Sequence, residues 1–137
     1  ALSVKKSSAL MEFIKTSDGS NLIQGFKRAN NILLQAEKND GVEYSFGADL
    51  KYAKEDAELN LFSALDSEEV KIKASLERED FVEAMNSMAN LRAPIDSFFE
   101  TVQINSEVDH IRRNRLNLLS RICKLCLSVA DLTKVEG

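Results

Sequence analysis

The sequence predicts an all-α protein, a helical bundle of about five to seven helices around one apolar core. Three observations predict it. Val108, Ile111, Leu118, Ile122, Leu125 and Val129 recur at steps of three, four and seven, the period of a helix and not of a strand. Tryptophan is absent, and five glycines and one proline are too few to punctuate a sandwich or barrel. Turn-forming clusters divide the chain into segments long enough to be helices and joined mostly by short connections, the pattern of a bundle.

Residues 3–15 form the first expected helix, with Leu10, Met11, Phe13 and Ile14 clustered late in it. Thr16-Ser17-Asp18-Gly19-Ser20 reads as a turn that stops it, and Ser20 or Asn21 as the cap of a second helix over residues 21–38. The inner stripe of that helix is Leu22, Phe26, Ala29 and Leu33 with Ile23 beside it, which leaves Lys27, Arg28 and Asn31 on the flank or outer face. Asn39-Asp40-Gly41 ends it, with glycine available for the left-handed cap.

Residues 39–53 have no helical period. A mobile surface loop is expected there, although Tyr44, Phe46 and Gly47 would suit one short extended piece. Residues 54–76 read as helix with Leu59, Phe62, Leu65, Ile72 and Leu76 inward. Asp66-Ser67-Glu68-Glu69 resembles a capping box, so a kink or a second helix is expected. Residues 79–91 follow, with Asp80 at the start and Phe81, Met85, Met88 and Leu91 inside. Pro94 suits a first helical turn, where no amide donor is needed, and Ile95, Phe98, Phe99 and Val102 are expected to be buried behind it.

Ser106 is the expected N-cap of the long last helix. Leu119 and Cys126 widen its stripe. Glu107 and Asp109 near its start, and Arg121 and Lys124 nearer its end, suit the helix dipole. Arg115 interrupts the apolar stripe, and a guanidinium there must snorkel to solvent or find a carboxylate; Asp96 and Glu100 are the expected partners.

The 137 residues suit one domain, residues 1–137, and the net charge of −4 excludes a broad, nonspecific nucleic-acid binder while leaving room for a local basic patch. No apolar run approaches the roughly 20 residues of a membrane span, and the start has no secretory h-region. It also lacks a methionine, so a processed or excised piece of a longer protein is expected. Two cysteines in such a domain suggest a reducing, cytoplasmic setting.

The chemistry of catalysis is not legible. Neither GxxxxGK nor GxGxxG occurs, and His110 is the single histidine. Cys123 and Cys126 form a CxxC without the second pair that structural zinc needs, and they lie deep in a helix, where core thiols are expected. The acidic residues between Glu55 and Glu83 read as a solvated face with no acid–base pair. No catalytic residue, metal site or cofactor is therefore expected within the chain. Lys27 and Arg28 in one helix, and Arg112, Arg113, Arg115, Arg121 and Lys124 in another, fit either intramolecular pairing or RNA contact.

Asp109-His110-Ile111-Arg112, followed by Asn114-Arg115-Leu116-Asn117-Leu118-Leu119, resembles the D-A-L-R…R-L-x-L pattern of DALR anticodon-binding domains. LRAPIDSFFETVQIN is similar to the L-R-x-P-V-D-x-F-F-D-x-V-x-V-N segment of bacterial glycyl-tRNA synthetase beta subunits. Residues 26–33, FKRANNIL, and residues 80–84, DFVEA, resemble that family's F-K-R-V-x-N-I-L and D-Y-x-x-A. The resemblance spans residues 10–132. His110 and Ile111 depart from the motif's Ala and Leu, Glu100 from its Asp, and the loop at 39–53 matches nothing in it.

The resemblance implies a DALR-like helical anticodon-binding domain, a fragment of a glycine–tRNA ligase. Pro94, Asp96, Phe98, Phe99, Asp109, Arg112 and Arg115 would be its structural motif. The larger enzyme would use ATP and magnesium. Its partners would be tRNA-Gly and an alpha subunit or fused catalytic region, with no membrane and no DNA. Lys27, Arg28, Asn31, Arg113 and Lys124 are then the expected RNA contacts, with Arg112 and Arg115 favoured for pairing inside the fold. The rivals are an arginyl-type anticodon domain, which lacks the Pro94-to-Phe99 segment, and a helical protein-interaction module without an RNA role.

Overall fold

The computed structural model describes residues 2–133, and side chains from residue 8 to residue 130. The described residues form six α-helices: α1 (Leu2–Lys15), α2 (Ser17–Asp40), α3 (Asp56–Glu77), α4 (Phe81–Ala89), α5 (Arg92–Thr101) and α6 (Asp109–Thr133). A single 3-10 turn, Leu50–Tyr52, stands in the long connection between α2 and α3. No helix among the described residues is long and apolar enough to cross a membrane.

Two helices organise the bundle. α2 packs against α1, α5 and α6, and α3 packs against α4, α5 and α6. Phe98 is wholly buried, in a core that includes Leu61, Leu65, Ile95, Leu118 and Leu119. Each such side chain contributes about 1.5–3 kcal/mol of burial relative to exposure. The Phe99 ring stands edge-on to Phe98 at 5.9 Å, while Phe99 itself is only half-buried.

Several boundaries differ from the sequence reading. The break between α1 and α2 is one residue, not five. Thr16 is extended and its hydroxyl accepts from the Gly19 amide, so Thr16 caps α2 in place of Ser20 or Asn21. Gly19 is buried inside the first turn because a Cβ there would lie 1.9 Å from the Phe13 carbonyl oxygen. The absent side chain lets α2 start directly beneath the end of α1. At its other end α2 stops as expected, on Gly41 at φ 69°.

α3 is unbroken. The carboxylates read as an internal capping box bond elsewhere: Glu68 accepts from Asn90, and Asp66 and Glu69 accept from Arg121. Leu59 is 40% exposed; Ala57 and Leu61 take the inward positions instead. Met11, Ile14 and Val108 are likewise exposed, and Leu116, absent from the expected stripe, is buried. Asp80 caps α4 as read, accepting from the Glu83 amide. Pro94 lies in the first turn of α5. Ser106 accepts from the Val108 amide, which closes the turn before α6 and does not cap the helix itself; the first helical bond goes to the Val108 carbonyl.

Candidate nucleic-acid interface

Four consecutive residues of α6 explain how the irregular parts of the chain are held. Successive side chains on a helix are about 100° apart, so residues 112–115 fan out in four directions. Arg112 reaches the end of α2, donating to Asp40 at 2.8 Å and to Asn105 at 2.7 Å, with the Tyr44 hydroxyl at 3.2 Å. Arg113 points outward and is exposed. The Asn114 side-chain carbonyl accepts from the Asp49 amide at 2.6 Å. Arg115 runs inward to Glu58 at 2.8 Å and to the Gln103 carbonyl at 2.6 Å.

The partner expected for Arg115 was Asp96 or Glu100. It is Glu58, which is fully buried and also accepts from the amides of Lys54 and Glu55 at the head of α3. Asp96 instead joins Arg92, which in turn reaches Asp18 at 3.0 Å and so ties α5 to the start of α2.

The connection at 41–52 is not a free surface loop. Tyr44 is buried, its amide donates to Glu37, and its hydroxyl donates to Asp40. That hydroxyl and the Arg112 guanidinium hold the Asp40 carboxyl below its usual range, while burial and the Asp40 carboxylate push the Tyr44 phenol up. Lys124 Nζ donates to the Ser45 carbonyl at 3.1 Å. The segment is thus pinned to α6 at Ser45 and Asp49, which leaves Phe46 and Gly47 as a tip between two anchors. Phe46 is 94% exposed.

The five expected contact residues fall into two groups. Lys27, Arg28 and Asn31 lie exposed on α2. Arg28 sits over the Phe99 ring at 4.7 Å, and Asn31 lines a cleft with Ile104, Asn105 and Arg112. Arg113 and Lys124 lie on α6 and line two clefts that share Phe46, Gly47 and Asn117. Asp109 is exposed in the first turn of α6.

Sequence reasoning missed Tyr52, Asn114 and Asn117, and read His110 as a bland surface residue. Tyr52 and His110 form a tilted ring pair at 5.0 Å beside Arg113. An Asn at every third position of the stretch 114–117 was the available signal: two buried amides on one face of a helix rarely lack a purpose in hydrogen bonding.

Among the described residues no three His, Cys, Asp or Glu side chains converge as metal ligands would. Cys123 is buried and Cys126 half-buried, and both are free thiols. Burial pushes Cys123 up to about 11 and Cys126 to about 12, so neither is a thiolate at neutral pH.

Residues 22–136 match the DALR anticodon binding domain family. The chain is 61% identical over 136 residues to a glycine–tRNA ligase beta subunit of Cereibacter sphaeroides strain ATCC 17029, and 60% identical over 136 residues to one of Ruegeria sp. strain TM1040. It is 40% identical over 137 residues to one of Rhodospirillum centenum. These matches take in 99% of this chain but 20%, 20% and 19% of the relatives, so the chain spans about a fifth of their length.

Proposed function

The chain belongs to the DALR anticodon binding domain family, and from that premise we propose that it is the domain with which a glycine–tRNA ligase grips the anticodon arm of tRNA-Gly. It would be one domain, residues 1–137, of a longer cytoplasmic synthetase. That enzyme would activate glycine with ATP and magnesium and load it onto the tRNA. In this reading an alpha subunit or a fused catalytic region would supply that chemistry. That the relatives are glycine–tRNA ligase beta subunits favours glycine over the arginyl-type reading, and the family favours RNA over a protein-interaction module.

One observation carries the assignment of contacts. Arg78, Arg92, Arg112, Arg115 and Arg121 all ion-pair within the chain. Arg28 and Arg113 have no such partner among the described residues, and both are exposed. An exposed arginine without a carboxylate keeps its charge available to a phosphate. Lys27 and Asn31 flank Arg28 on α2, and Lys124 lies on α6 with Arg113. In this reading the cations hold the RNA backbone while unstacked anticodon bases are read on their edges. Arg112 and Arg115 serve the fold.

Titration of the chain with tRNA-Gly and with a non-cognate tRNA, at two salt concentrations, tests this. Arg113→Ala and Arg28→Ala are each expected to weaken binding and to lower the salt slope by about one. Unchanged affinity and slope in both variants would remove these contacts. Equal affinity for the two tRNAs would remove the glycine assignment.

A further inference from the structure

The cleft between the 42–52 segment and the first half of α6 has a volume of about 540 Å³ and is lined by Phe46, Tyr52, His110, Arg113, Asn114 and Asn117 among others. Its chemistry is uneven. One wall is the Tyr52–His110 ring pair. At the tip stands Phe46, an aromatic ring left almost wholly in water. Arg113 is the only arginine or lysine among the described residues of the lining, and Glu43 and Asp49 are there too. Two carboxylates make the cleft a poor seat for a phosphate and leave it suited to an uncharged, flat group.

The floor supplies the second observation. Asn114 and Asn117 are 4% and 6% exposed, and Asn114 Nδ2 and Asn117 Oδ1 have no hydrogen-bond partner among the described residues. A buried polar group without a partner is costly. The Asn114 amide cannot swing to relieve it, because its oxygen is held by the Asp49 amide. The pair therefore offers one donor and one acceptor, the complement of a nucleobase edge.

We propose that this cleft is a nucleobase slot for single-stranded RNA, in which a base stacks on the Tyr52–His110 wall and presents its Watson–Crick edge to Asn114 and Asn117. The inference rests on the RNA-binding reading above and names the residues that read a base. Both floor atoms are shielded from solvent, so the base enters as the 42–52 segment that lines the cleft opposite them moves outward. Phe46 then closes over the other face of the base. Arg113, at the rim, meets the adjoining phosphate.

A thermodynamic cycle tests it. The chain is titrated with the anticodon stem–loop of tRNA-Gly and with the same stem–loop carrying abasic anticodon positions, which keeps every phosphate. The abasic loop is expected to bind about tenfold or more weakly. His110→Ala and Asn117→Leu are expected to weaken the intact loop by a similar factor and to leave the abasic loop unchanged. Non-additivity of that kind marks a direct interaction. His110 is exposed at the start of α6, so its variant keeps the test open if Asn117→Leu fails to fold. Equal losses on both loops, or none on either, would overturn the slot and leave the RNA-binding reading standing. Failure of wild type to bind either loop at low salt would end both.

Discussion

Arg115 and Glu58 lie 57 positions apart in sequence and meet at 2.8 Å, with side chains 8% and 0% exposed. Glu58 also receives the two amides that open α3, and Arg115 also holds the Gln103 carbonyl ahead of α6. One buried pair therefore joins the start of α3 to the approach to α6.

Arg115→Met is expected to lower stability by about 3–5 kcal/mol, because it leaves a buried carboxylate without its cation. Arg115→Met with Glu58→Gln is expected to recover part of that loss, since the neutral amide no longer needs the guanidinium and its oxygen still accepts from Lys54 and Glu55. Urea melts of the two variants measure it. A double variant no more stable than Arg115→Met alone would show that packing, and not charge, dominates the site.

Gly19 and Gly25 are both buried in α2, and alanine would ordinarily stabilise a helix interior by about 0.5–1 kcal/mol at either. At Gly19 the new Cβ would meet the Phe13 carbonyl oxygen at 1.9 Å, whereas at Gly25 it would meet the end of the Ile95 side chain at 3.2 Å. Gly19→Ala is expected to cost about 2 kcal/mol or more as α1 is pushed off α2. Gly25→Ala is expected to stay within about 1 kcal/mol of the wild type. Equal urea midpoints for the two variants would contradict the close approach of α1 and α2.

Cys123 and Cys126 are held as neutral thiols by burial. At pH 8 their labelling by a thiol reagent is expected to be far slower than in denaturant. Both values are raised above the ordinary 9.0, so the stability gained by keeping the thiols neutral is fully present below about pH 9 and is lost as pH rises through the folded values. Melts at pH 8 and in the alkaline range, compared with a Cys123→Ala/Cys126→Ala variant, check the sign: the wild type should lose more stability on going alkaline.

The helical period at Leu118, Ile122 and Val129, the scarcity of glycine and proline, Asp80 as a cap, Gly41 as a terminator and Pro94 in a first turn were all readable without coordinates. Each depends on neighbours a few residues away, and such interactions are written in order along the chain. The same held for Lys27, Arg28 and Asn31 lying off the inner stripe of α2, since a stripe that points inward leaves its complement in water.

Periodicity says which face of a helix is inward, but not which element that face will meet. Only the packing of α6 against α2 and α3 set Arg115 on Glu58 and Arg112 on Asp40, and only it drew Asp49 to Asn114 across 65 positions. The cleft of Tyr52, His110, Asn114 and Asn117 belongs to the same class. Its residues lie in segments of different period, and they become one surface because buried polar groups on α6 demand partners that the connecting segment supplies.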